Sequence, residues 1–171
     1  MADYGIVRLD KVRAVYNGHI ESVVHTDILE NGMAVKADKF KKGERELREV
    51  VIPKAGDGGI HIVAVPEINK SEYVKTDAAL ENFYTPANKP ARAYRLETGD
   101  VFSITKVDGV PAEGKFIAAD GLTFKVVDTM PADGFAGEIV DIETLGTPTM
   151  VGQAGVIARI NKYVVILVHR N

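Results

Sequence analysis

The chain contains no cysteine and no tryptophan. Without thiols, disulfides, thiolate zinc sites and a cysteine nucleophile are all excluded. Small secreted scaffolds ordinarily carry disulfides, so this absence points to folding in a reducing cytoplasm. Histidine is sparse, at positions 19, 25, 61 and 169. No two of them form an HxH, HxxxH or HExxH pair, and no metal is expected. Serine occurs only as Ser22, Ser71 and Ser103. None lies in GxSxG, and no Ser–His–Asp constellation is suggested. Residues 56–59 are glycine-rich but lack the GxxxxGK[ST] phosphate-binding pattern, so no cofactor is expected. The N-terminal fifteen residues carry charges throughout and no apolar core of a signal peptide. The longest apolar run, 163–168, is strand length, far short of a membrane span, and no membrane partner is expected.

The chain has 171 residues, enough for one good core or two small ones that share an interface. Hydrophobic residues at 46% and charged residues at 26% are those of a folded globular protein. Short runs rich in β-branched and aromatic residues recur between Asn-Gly, Asp-Gly and Pro signals. They predict a mainly β protein: a small antiparallel sandwich or barrel built from hairpins, with at most one or two short helices.

Residues 91–96 and 101–105 alternate like strands around Glu97, Thr98, Gly99 and Asp100, which predicts a central hairpin. Asn17-Gly18 reads as a tight turn. Asn31-Gly32 reads as the tip of a hairpin between strands at 20–29 and 33–37. Strands are also expected at 47–53 and 60–65, the latter buried on both faces. Thr76-Asp77 can cap a short helix through residue 83. Residues 147–155 read as loose and glycine-containing, followed by strands at 156–160 and 163–170. The organisation expected is an N-terminal arm or first strand (1–16), a β-rich first half (17–84) and a β-rich second half (85–171), or the two halves as one continuous domain. The linker is at 85–90.

Net charge is −3, with no global drive toward nucleic acid. The charge is nevertheless segregated. Residues 36–48 hold six Lys/Arg against three acids, and residues 97–143 hold ten Asp/Glu against three lysines. Such halves are either solvated faces or complementary surfaces that meet a partner. Individual acids have mundane readings: Asp100 as a turn residue bonding its own backbone, Asp141 and Glu143 as a solvent-facing pair. His61, flanked by Ile60 and Ile62, reads as a strand histidine. Tyr84, Tyr94 and Phe102 suit a core better than a sugar groove.

One resemblance adds to this. Glu30-Asn31-Gly32-Met33, the basic loop Lys41-Lys42-Gly43-Glu44-Arg45-Glu46, then Val51-Ile52-Pro53 and Val63-Ala64-Val65-Pro66-Glu67 resemble small structural proteins of tailed bacteriophages. Residues 91–96, Gly99-Asp100-Val101-Phe102-Ser103 and Tyr163-Val164-Val165-Ile166 fit the same pattern. These are head-decoration or capsid-cement proteins of phages infecting Gram-positive hosts. The resemblance implies a non-catalytic β-rich protein assembled in the host cytoplasm. It would bind the outer surface of the head in many copies, often as homotrimers, and hold adjacent major capsid subunits together. Charge and expected exposure nominate Lys39, Lys41, Lys42, Arg45 and Arg48 as contact residues, with Arg8, Lys11 and Arg13 as a second group. The alternatives are a carbohydrate-binding or host-attachment module of a virion, using Tyr84, Tyr94 and Phe102, and a small β-barrel enzyme with Asp100 or His61 as base.

Overall fold

Wherever Val, Ile, Ala or Phe recurs at alternate positions, the chain becomes a strand that buries that face. The computed structural model describes residues 4–67, 80–152 and 155–171, and side chains outside 147–159. The protein is mainly β, with two sheets, one of them a small barrel. The first strand, β1 (Val7–Lys11), is followed by a single helical turn, α1 (Ala14–Asn17). Five strands then close a barrel: β2 (Ile20–Val24), β3 (Ala34–Phe40), β4 (Leu47–Val51), β5 (His61–Val63) and β6 (Ala91–Arg95). The remaining strands are β7 (Val101–Ile104), β8 (Phe116–Asp120), β9 (Thr123–Val127), β10 (Ala136–Gly152) and β11 (Gly155–Arg170). They join β1 in an open sheet of order β1-β7-β11-β10-β8-β9.

Around the barrel the order is β2-β4-β3-β5-β6, closed by β6 on β2. Neighbours are antiparallel except β2 and β4, which run parallel. The bore is filled by Leu29, Val23, Val35, Val63, Ala91 and Ala93. Adjacent residues on the same strands serve the other face. Ala34 and Ile62 turn outward and join Phe102, Ile104, Ile117, Phe124, Phe135, Ile139 and Ile166 in a second core between barrel and sheet. Strand β5 is therefore buried on both faces, as its almost wholly apolar run predicts. Burying one such isoleucine contributes about 1.5–3 kcal/mol.

Polar groups tie the two sheets together. The Asn171 side chain accepts from the Ile60 amide at 2.7 Å and donates to the Ile60 and Leu96 carbonyls at 2.9 and 2.5 Å. Gly134, in the left-handed region at φ 66°, lies so close to Gly56 that a Cβ would sit 2.3 Å from its carbonyl carbon. Any side chain there would push barrel and sheet apart.

Several local expectations change. Residues 91–105 do not form a hairpin. Strand β6 is flanked by β2 and β5, and β7 by β1 and β11, so neither has a free edge for the other. The turn at 97–100 instead carries the chain from barrel to sheet, while residues 85–90 lead into β6. Asn31-Gly32 closes no hairpin either, because β2 pairs with β4 and β6 rather than with β3. Asn31 instead stands in for a strand neighbour. Its side-chain amide accepts from the Val65 N–H at 2.8 Å and donates to the Val65 carbonyl at 2.9 Å. Asn17-Gly18 ends α1, with Gly18 as its left-handed cap. The expected helix across 76–83 lies largely outside the described residues, and its described part, Leu80–Asn82, is one 3-10 turn. Residues 147–152 continue β10 rather than loosening. From Thr144 and Lys162 outward, β10 and β11 pair only with each other among the described residues, as a two-stranded ribbon.

Candidate functional site

The basic segment forms an ordered hairpin. Strands β3 and β4 pair antiparallel, the Lys41 amide donates to the Leu47 carbonyl at 2.8 Å, and Gly43 makes the reversal at φ 88°. Lys42 and Arg45 are exposed and Lys41 is half-buried. No side-chain hydrogen bond or ion pair engages these three among the described residues. Lys39 lies farther back, 3.4 Å from Glu49. Arg48 behaves differently. Its Nε donates to Glu21 at 3.0 Å and its Nη1 to the Asp38 carbonyl at 2.9 Å, and its guanidinium stacks on Phe40.

The second nominated group lies on the open sheet's edge. Arg8 donates to Glu143 at 2.6 Å and rests over the Tyr163 ring, and the Glu143 bond followed by Asp10 holds its guanidinium more firmly charged. Arg13 lies 3.8 Å from Glu97, while Lys11 is exposed. The structure thus brings Lys39, Lys41, Lys42 and Arg45 together on one hairpin, and places Arg8, Lys11 and Arg13 on the other sheet's side of the molecule.

Other residues of chemical interest are accounted for. Asp100 is fully buried, with Oδ1 accepting from the Arg13 amide at 3.1 Å and Oδ2 from the Glu97 amide at 2.7 Å. It is the expected turn residue, and it also fastens the segment after β1 to the barrel–sheet crossing. Phe102 is fully buried in the shared core and cannot line a groove. Tyr84 instead packs against Tyr4, the rings tilted with centroids 4.8 Å apart. His19 and His25 take separate partners, Glu97 at 3.1 Å and the Asp27 amide at 3.1 Å.

A cluster that charge runs do not reveal lies at one end of the barrel. On each of four strands, an ionisable residue sits two positions from an apolar bore residue: Glu21 before Val23, Arg48 before Val50, His61 before Val63, and Arg95 after Ala93. Period-two geometry therefore turns all four toward the bore. They line a cleft of about 520 Å³ together with Lys36 and His19. The bore is thus apolar at one end and ionic at the other.

His61 is the buried member. Its Nδ1 lies 3.0 Å from the Gly59 carbonyl, which can only accept, so Nδ1 carries the proton and Nε2 is left as an acceptor. Burial pushes the imidazole below its ordinary pKa, with Arg95 and Arg48 acting the same way and the Gly59 carbonyl and Glu21 opposing. The unfolded chain consequently binds a proton here that the folded chain refuses. The contribution is present above the ordinary histidine value of about 6.5 and is lost as pH falls through the lower folded value. Urea melts at pH 7.5 and 5.5 should show stability falling toward acid, with a shallower fall in His61→Gln. An equal slope in the variant would show that His61 is not responsible.

Comparison with family models, with curated proteins and with solved structures finds no match.

Proposed function

We propose that this chain is a non-catalytic structural protein of a phage particle, binding the outer surface of the head as a decoration or cement protein. Its partners would be the major capsid protein and further copies of itself, as a homotrimer. The observation that carries this reading is the β3–β4 hairpin, which presents Lys41, Lys42 and Arg45 without intramolecular partners among the described residues, on a hydrogen-bonded frame. Cations on a short loop held by a hydrogen-bonded strand pair lose little backbone entropy on docking and steer toward an acidic surface. The β10–β11 ribbon adds a second feature suited to assembly, since a two-stranded ribbon is marginal alone and gains from a neighbouring chain. Repetition over a head converts weak contacts into firm attachment.

Purified heads lacking the protein provide the test. The wild-type chain should co-sediment saturably, and the free chain should run as a trimer in size-exclusion with light scattering. The triple reversal Lys41→Glu, Lys42→Glu, Arg45→Glu should weaken attachment by about tenfold or more and flatten its salt dependence. Absence of co-sedimentation by the wild type would overturn the reading. Unchanged attachment by the triple variant would remove the hairpin from it.

A further inference from the structure

The ionic end of the barrel is unevenly neutralised. Arg48 is matched by Glu21 at 3.0 Å, Lys36 by Asp57 at 3.3 Å, and His19 by Glu97 at 3.1 Å. Arg95 has no side-chain hydrogen bond or ion pair among the described residues, although it lines the same cleft. Across from it stands His61, whose Nε2 is an open acceptor when the ring is neutral and a donor when it is charged. Gly58 and Gly59 border the cleft without side chains to fill it. A cleft of about 520 Å³ lies within the range of small-ligand pockets and well above what one ordered water needs.

We infer that the ionic end of the barrel is a binding site for a carboxylate, with the Arg95 guanidinium as its principal ligand and His61 as its second. The assignment follows from charge, shape and position. One cation is left over, which fits one negative charge rather than two. A guanidinium presents paired N–H donors that match the two oxygens of a carboxylate. Glu21, on the neighbouring strand β2 and already bonded to Arg48, disfavours a second anion in the cleft. A carboxylate beside His61 favours the imidazolium, so ligand binding and proton uptake are coupled at this ring. The charged groups that act on it are Glu21 from β2, Arg48 from β4 and Arg95 from β6, and Lys36 from β3 and His19 line the same cleft. This site is separate from the β3–β4 hairpin tip and does not depend on head attachment.

The probe is butyrate, a monocarboxylate, titrated into the full chain at constant ionic strength and followed by two-dimensional NMR of the histidine rings and arginine side chains. Saturable shifts should appear at the His61 ring and the Arg95 Nε–Hε group, and the His61 pKa should rise in the bound state. Arg95→Gln should weaken binding by about tenfold or more, since it removes the charged donor pair that the carboxylate accepts from. Arg92→Gln serves as the control, because Arg92 is exposed on the opposite face of β6 and should leave binding unchanged. Absence of saturation at His61 and Arg95 would overturn the proposal, as would equal loss in both variants. Inorganic phosphate binding the same two residues more tightly than butyrate would overturn the assignment to carboxylates.

Discussion

Phe124→Ala is expected to lower the unfolding free energy by about 3–5 kcal/mol and the melting temperature by roughly 6–20 °C. Phe124 is fully buried, with Phe102 on one side at a centroid distance of 5.4 Å and Phe135 on the other at 5.3 Å. The three rings sit in the core shared by barrel and sheet. Their flanking partners, Ile62 from the barrel and Ile117, Ile139 and Ile166 from the sheet, are held in strand ladders, so little can move into the vacated space. Denaturant melts of Phe124→Ala beside Val110→Ala give the contrast. Val110 is 78% exposed, and its truncation should change stability by no more than about 0.5 kcal/mol. A loss below about 1 kcal/mol at Phe124 would mean that the shared core can collapse around the gap.

Asp100→Ala is expected to remove about 2–4 kcal/mol, because it strips the acceptors from two backbone N–H groups at once. The aspartate is fully buried and binds the Arg13 and Glu97 amides, one with each oxygen, while its carbonyl accepts from the Val168 amide at 2.9 Å. Three chain segments therefore meet on one residue: the link after β1, the barrel–sheet crossing and β11. Asp100→Asn should fall between wild type and alanine, since an amide keeps one acceptor and turns a donor toward the other N–H. Hydrogen exchange supplies an independent readout. The Arg13 and Glu97 amides should exchange faster in both variants, and unchanged protection would show that solvent already satisfies them.

These two residues also mark what a linear reading can and cannot reach. Asp100 is legible as a turn residue because Gly-Asp after a strand has one local explanation, and the structure keeps it. The strand at 60–65 and the apolar stretch 163–168 are legible because an almost wholly apolar run must be covered on both sides. Pairing is another matter. Alternation in 91–95 and 101–104 states which face of each strand is buried, but says nothing of which edge meets which, and here both edges of both strands belong to other partners. Asn31-Gly32 misleads for a related reason: a dipeptide suited to a hairpin is equally suited to an asparagine that mimics a strand.

The basic hairpin is visible in the sequence because its charges are neighbours in the chain. The ionic end of the barrel is invisible by the same standard, since Glu21, Arg48, His61 and Arg95 come from four strands and each looks like an ordinary polar position. One signal was present. In each strand the ionisable residue stands two places from a small or branched apolar one, which is the interior spacing of a barrel whose end is polar. Arg48 shows how the two clusters separate: its position in the basic run suggests a surface contact, while its parity with Val50 turns it inward to Glu21.

The placement of β1 has a consequence for how the molecule assembles. Strand β1 leaves the sheet, the chain builds the whole barrel, and it returns as β7, the strand to which β1 is paired, with Lys11 opposite Val101. Closing that pair from an unfolded chain means shutting a loop of about ninety residues, an entropic cost that falls sharply once the loop has condensed. The barrel's own pairings span shorter separations, so they form first and carry the two ends together. Only then can β1 add to β7 and Asp100 fasten the joint. The barrel is in this sense the template for the edge of the sheet, and a mutation that slows barrel closure should delay β1 docking by the same factor.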